Sequence, residues 1–364
     1  MPVTQFIWGP SGSGLSERAW ALAEETGAAW VGNNAAAHIS LLRSTVAEEL
    51  AVPMEQRGVS ADQMRRAITE ALDLWELPAD QDPSTLSTGQ TRRVAIAAAL
   101  LAGPDALVLD CPVDGLDAQA MSTLRAALDR FPGEVTVFDR VWSPLADAAA
   151  DAPMPHIPER PLAASAGPAL IAQDVVVRRG RGGVGPINLT SNYGEVTHLA
   201  GPNGSGKTTL FLAALGLVEH EGKLRVPERL GWAPTAMDSV MTQKTVLQEV
   251  ALGADRERAE AALEFAGVAD VAGMHPLDVP SSQRRLVLVA AALVRAPELL
   301  LLDEPTVGLD AAGYGRLGEV MHGFAAGEFH RLIGCDGPAG VLWTCHDGSF
   351  AGAVSHASQE IEIS

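Results

Sequence analysis

The sequence predicts an α/β protein built from two consecutive copies of one domain, each a mostly parallel sheet core with a helical subdomain. Three observations carry this. Residues 90–118 (QTRRVAIAAALLAGPDALVLDCPVDGLDA) and 283–311 (QRRLVLVAAALVRAPELLLLDEPTVGLDA) align without a gap and agree at 16 of 29 positions. Gly9–Ser16 (GPSGSGLS) matches Gly201–Thr208 (GPNGSGKT) at a spacing only one residue different, so the repeat spans a domain of roughly 190 residues. Each copy also reads strand, glycine-rich loop, helix, helical middle, helix, buried strand, the order that yields a parallel sheet.

The first copy, residues 1–150, opens on the strand-like Phe6-Ile7-Trp8 directly before its glycine loop. The second, residues 168–364, carries further chain ahead of its loop, including the strand-like Ala169–Arg178, so the first copy reads as truncated at its front. Between them, residues 151–167 (DAPMPHIPERPLAASAG) are rich in Pro and Ala and lack apolar periodicity, which predicts a linker. Two long apolar runs, Ala95–Leu109 and Leu286–Leu302, are interrupted by Gly103-Pro104-Asp105 and by Arg295-Ala296-Pro297-Glu298, and each reads as a helix followed by a buried strand. No uninterrupted apolar run reaches the roughly eighteen residues of a membrane span. The N-terminus lacks a basic flank followed by an apolar stretch, which predicts a cytoplasmic protein. Cys111, Cys335 and Cys345 have no CxxC spacing, so neither a disulfide framework nor a zinc site is expected.

A formal charge of −19 argues against a nucleic-acid partner, since neutralising phosphates takes clustered Lys and Arg. Of 26 basic residues only Lys207, Lys223 and Lys244 are lysines, and the first copy has none. Lys207 falls inside Gly201-Pro202-Asn203-Gly204-Ser205-Gly206-Lys207-Thr208-Thr209, a complete GxxxxGK[ST] between a strand and a helix. The glycines let backbone N–H groups curl around phosphate oxygens at the positive end of the helix, and the motif predicts ATP bound there. Lys207 is expected on the β- and γ-phosphates and the Thr208 hydroxyl on Mg²⁺. Leu299–Leu302 reads as a buried strand whose end delivers Asp303 and Glu304 near this loop. Asp303 suits Mg²⁺ and its waters, and Glu304 suits the base that polarises the attacking water. His346, after the strand-like Val341–Cys345, suits a γ-phosphate contact; alone, such a histidine is usually a packing residue, and the neighbouring motifs give it the catalytic reading.

The phosphate loop, Leu86-Ser87-Thr88-Gly89-Gln90 (LSTGQ), LLLLDEP at Leu299–Pro305, GLD at Gly308–Asp310 and His346 together resemble an ABC ATPase, a tandem P-loop NTPase arrangement covering nearly the whole chain twice. The resemblance is nearest to the fused ATPase of energy-coupling factor importers, which take up vitamins or metal ions. It implies separate transmembrane subunits as partners and a peripheral place on the inner face of the membrane. It also implies intramolecular head-to-tail pairing, in which ATP on the second copy's loop meets Ser87, Thr88, Gly89 and Gln90 of the first.

The copies depart from the pattern in complementary ways. In the first, Leu15 stands at the lysine position, Cys111 at the glutamate position, and no histidine occurs between Asp117 and His156. The second has a decayed signature, Val279-Pro280-Ser281-Ser282-Gln283. Under head-to-tail pairing the two good halves meet, leaving one competent and one degenerate site. The glutamine that couples Mg²⁺ to the membrane partner in the family is replaced by Asn33 and Thr235, and the adenine-stacking aromatic falls near Arg178 or Arg179. Those arginines read either as guanidinium platforms or as solvated charges. The rival readings are a soluble ABC protein acting on ribosomes or nucleic acid, and a nucleotide-gated binding module with negligible turnover.

Overall fold

The computed structural model describes residues 3–146, 151–162, 164–179, 182–237 and 240–361, and the chain divides into two compact units, Met1–Met154 and Pro155–Ser364.

The first unit contains β1 (Gln5–Trp8), α1 (Leu15–Thr26), β2 (Ala29–Val31), α2 (Val46–Gln56), α3 (Ala61–Leu74), α4 (Thr88–Leu101), β3 (Ala106–Asp110), α5 (Ala118–Arg130) and β4 (Glu134–Asp139). Its four strands pair in parallel in the order β1-β4-β3-β2. β3 is apolar from Ala106 to Leu109 because both faces of a parallel strand are covered, here by α4 and α5 on one side and α1 on the other. α4 starts at a capping box in which Ser87 and Gln90 satisfy each other's backbone N–H groups. That is how STGQ becomes a helix start.

The second unit contains β5 (Pro168–Arg179), β6 (Gly182–Asn192), β7 (Val196–Ala200), α6 (Lys207–Ala214), β8 (His220–Arg225), β9 (Leu230–Ala233), α7 (Val246–Val250), α8 (Arg256–Ala266), α9 (Ser281–Leu293), β10 (Leu299–Leu302), α10 (Ala311–Ala325), α11 (Glu328–Leu332), β11 (Gly340–Trp343), α12 (Gly348–Val354) and β12 (Ala357–Glu360). Its parallel sheet runs β12-β7-β11-β10-β9, and the four strands from β7 to β9 repeat the order of the first unit. An antiparallel sheet, β6-β5-β8, packs Leu170, Val175 and Val177 against Leu210 and Phe211 of α6. Among the described residues the first unit has no counterpart of that sheet or of β12.

Part of the segment between the copies is fastened to the second unit. His156 N–H donates to Ala311 O, Arg160 donates to the carbonyls of Gly352 and Ser355, and Tyr193 N–H donates to Gly167 O. α10 makes room with glycines: a Cβ on Gly315 would lie 2.3 Å from the His156 ring and one on Gly318 2.5 Å from Pro158.

Candidate active site

The second unit's phosphate loop follows β7 and enters α6 through Gly206, whose φ of +97° only glycine adopts readily and whose missing Cβ would meet Val184 at 2.0 Å. Lys207 is buried, and its Nζ donates to the carbonyls of Gly201 at 2.7 Å and Pro202 at 3.0 Å. The ammonium therefore lies inside its own loop. Ser205 Oγ is buried there with no hydrogen-bond partner among the described residues. Pro202, Gly204 and Thr208 are exposed on the loop, while Asn203 and Thr209 are half-buried. Thr208 Oγ1 reaches across to the neighbouring strand end and donates to Asp303 Oδ2 at 2.7 Å.

β10, four buried leucines between β9 and β11, delivers Asp303 and Glu304, both buried. Glu304 has a φ of +49°, a left-handed backbone that costs a non-glycine residue free energy and persists where its surroundings impose it. Thr344, just past β11, supplies that restraint: its hydroxyl donates to Asp303 Oδ1 at 3.1 Å and accepts the Glu304 N–H at 2.8 Å. The Glu304 carboxylate lies 3.2 Å from His346 Nε2, both side chains largely buried. Burial pushes the Glu304 carboxyl up to about 7 against the pull of Lys207, with Asp303 adding to the rise. A carboxyl titrating there is matched to proton transfer near neutral pH.

One further residue that the sequence motifs do not flag holds this arrangement. Arg285 of α9, buried, donates from Nε to Val307 O at 3.1 Å, from Nη1 to Pro234 O at 3.0 Å and from Nη2 to Thr235 O at 2.9 Å. It clamps the loop after Glu304 to the loop bearing Thr235, whose Oγ1 donates to Asp303 O at 3.2 Å. Arg92 makes the matching clamp in the first unit, onto Gly32 O and Asn33 O. The only sequence signal was an arginine recurring two residues after Gln90 and Gln283.

In the first unit the same backbone carries different chemistry. Leu15 turns its side chain into the apolar cluster of Ala19, Ala23, Val108 and Phe138, so the lysine position of this loop supplies no cation. Ser16 Oγ accepts from Asn33 Nδ2 at 3.0 Å. Cys111 repeats the left-handed backbone of Glu304, with φ +50°, but burial pushes its thiol well above the usual range and Sγ donates to Asp110 Oδ1. A thiol held protonated cannot take a proton from water. The register of β3 on β4 and of β10 on β11 places Arg140 where His346 stands, and Arg140 is paired at 2.9 Å with Asp114, which occupies the position of Val307.

The two signature segments also differ. Ser87 and Thr88 are exposed at the start of α4 and Gly89 is buried behind them. At α9 the residue matching Ser87 is Pro280; Ser281 donates to Gly308 O and Ser282 to Asp310 Oδ1, so these hydroxyls are used inside the unit. Arg178 pairs with Glu221 at 2.8 Å on the surface, and the Arg179 side chain lies outside the described residues. The structure thus brings Lys207, Thr208, Asp303, Glu304 and His346 together in the second unit, while Ser87, Thr88, Gly89 and Gln90 sit on the first.

A fold of parallel sheet, phosphate loop and paired acidic strand end defines a nucleotide-hydrolysing P-loop protein. The profile of the ABC transporter family matches residues 4–114 and 184–307, well over half the chain. A putative ABC transporter ATP-binding protein of Streptomyces avermitilis is 31% identical over 439 residues, covering 90% of this chain and 76% of that protein. The zinc import ATP-binding protein ZnuC of Pseudomonas fluorescens is 39% identical over 171 residues, 44% of this chain and 60% of that one. A structure described as a model of ribosome-bound archaeal Pelota and ABCE1 superposes with a TM-score of 0.70 over 97% of this chain and 71% of that one, at 18% identity, a likeness of fold. The chain belongs to the ABC transporter family of ATP-binding, ATP-hydrolysing proteins. Among the described residues no helix is long and apolar enough to cross a membrane, and no group of three His, Cys, Asp or Glu is placed to hold a metal.

Proposed function

We propose that this chain is the ATPase subunit of a membrane importer, with one competent and one degenerate composite ATP site, its two ATPase domains being residues 1–150 and 168–364 joined by 151–167. The observation that carries the single-site reading is the contrast at matching backbone positions. Lys207, Glu304 and His346 of the second unit stand where the first has Leu15, Cys111 and Arg140. The importer reading is supported by relatives named as ABC transporter and zinc import ATP-binding proteins.

The residues present suit a magnesium nucleotide. The ammonium of Lys207, which donates to its own loop carbonyls, and the buried hydroxyl of Ser205, which has no hydrogen-bond partner among the described residues, are donors a phosphate chain could take up. Thr208 and Asp303 form an all-oxygen pair of the kind Mg²⁺ prefers. Bound there, the ion would neutralise charge between the β- and γ-phosphates. In turnover, Lys207 leaves the Gly201 and Pro202 carbonyls for phosphate oxygens, and the loop N–H groups from Gly201 to Thr209 enclose them. Glu304, once ionised, accepts the proton of the attacking water, and His346 steadies that carboxylate and the γ-phosphate. Ser87, Thr88, Gly89 and Gln90 close over the same phosphate from the other unit, their hydroxyl and N–H donors strengthened by exclusion of water.

The experiment is purification of the full chain from detergent-solubilised membranes with and without ATP. Stoichiometric recovery of polytopic membrane proteins that raise its ATPase rate supports the importer reading. Recovery with ribosomes, or ATPase activity stimulated by ribosomes alone, refutes it.

A further inference from the structure

β7, the strand that leads into the phosphate loop, carries one buried imidazole. His198 lies side by side with Trp343 of β11 and Ser358 of β12 in the sheet register, and its ring packs 5.5 Å from that of Trp343. Burying an imidazole in a sheet costs free energy unless both nitrogens are satisfied. Both are engaged: Nε2 meets Cys345 O at 3.2 Å and Nδ1 meets Ser358 Oγ at 3.3 Å. A carbonyl only accepts, so Nε2 carries the proton, and the lone pair on Nδ1 takes the Ser358 hydroxyl hydrogen. This assigns a neutral Nε2–H tautomer from the bonding pattern. Burial, with Lys207 nearby, lowers the His198 pKa and keeps the ring in that form.

The bond it donates is placed to matter. The Cys345 carbonyl belongs to the peptide unit that ends at the His346 nitrogen, so its orientation sets where the His346 side chain begins. Holding that carbonyl from β7 fixes the 3.2 Å approach of His346 to Glu304. The repeat supplies an independent observation. In the first unit the position of His198 is Phe6, which has no hydrogen to donate, and there the His346 and Glu304 positions are Arg140 and Cys111. The copy that keeps the pair keeps the buttress. The copy that lost the pair has neither.

We propose that His198 is a positioning residue for hydrolysis, a hydrogen-bonded prop between the phosphate-loop strand and the peptide that carries His346. The inference rests on the assignment of Glu304 and His346 made above. Its test is steady-state phosphate release by the full chain. His198→Leu removes the donor while filling the space, and should lower kcat roughly tenfold with KM for ATP within about twofold, because Lys207 and the loop still bind nucleotide. His198→Gln can present an N–H to the Cys345 carbonyl, and should return kcat to within about threefold of the parent. Ser358→Ala, on the exposed edge strand, leaves packing intact and should cost about twofold to threefold in kcat alone, which keeps the inference testable if the leucine variant does not fold. Unchanged kcat in His198→Leu, or in Ser358→Ala if the leucine variant does not fold, a loss appearing in KM, or a glutamine variant as impaired as the leucine variant overturns it. Glu304→Gln is assayed beside them. If that variant keeps turning over, the assignment of the catalytic pair fails; if it is dead while His198→Leu is normal, only the role of His198 fails.

Discussion

Asp139 closes β4 of the first unit as a buried carboxylate, with Oδ1 accepting the Arg140 N–H at 2.8 Å and Oδ2 without a partner among the described residues. Burial raises its pKa from 3.8 to about 7, with Asp114 adding, while the N–H and guanidinium of Arg140 oppose the rise. The folded state therefore holds a proton that the unfolded chain has released between pH 4 and 7. Stability contributed by this group is full below the unfolded value, falls as pH rises through the window, and is lost above about 7. The whole displacement corresponds to about 4 kcal/mol, of which roughly 3 accrue between pH 5 and 8. Asp139→Asn mimics the protonated acid, keeps the acceptor for Arg140 N–H and should remove that dependence. The assay is hydrogen exchange of the β3 and β4 amides at several pH values, because unfolding of a two-unit chain need not be two-state. The variant should match the parent near pH 4 and exceed it by about 4 kcal/mol at pH 8. A variant that is less protected at pH 8, or one whose difference from the parent does not change with pH, would refute the reasoning.

Three other consequences can be measured directly. ATP turnover by the full chain should rise with pH through about 7, since the protonated Glu304 carboxyl cannot accept a proton from water; a rate that falls across this range removes Glu304 as the base. Arg285→Met should lower stability of the second unit by about 3 kcal/mol, as the carbonyls of Pro234, Thr235 and Val307 lose buried donors, whereas Arg256→Met, an exposed ion pair on α8, should change denaturant midpoints little. Ser87→Arg should abolish turnover yet leave nucleotide binding to Lys207 intact, while Pro280→Arg at the matching position should cost less than about threefold; the reverse ranking contradicts head-to-tail pairing.

The phosphate loop and acidic strand end were legible because they are local: a loop of fixed length between a strand and a helix, and a leucine run ending in two acids. The repeat made the fold legible too, since matching loops whose offsets differ by one residue leave little freedom in topology. What stayed hidden is set by contacts distant in sequence. Arg140 occupies the histidine position of the first unit, but the second copy inserts α11 and a loop before β11, so sequence spacing fails and only strand register aligns them. Arg285 and Arg92 look like surface charges at the start of a helix until the carbonyls they bind come from another loop. His198 reads as one polar interruption in a strand, and its partners lie 147 and 160 residues away.

The central claim, that one of the two copies does the chemistry, is tested most directly by comparing Glu304→Gln with Cys111→Ala in a phosphate-release assay on the full chain. These residues share a backbone conformation, φ +49° and +50°, at equivalent strand ends, so the comparison isolates the side chain. The account predicts that Glu304→Gln loses roughly two to four decades in rate while still binding ATP, and that Cys111→Ala stays within about twofold of the parent. Equal losses from both substitutions would contradict it.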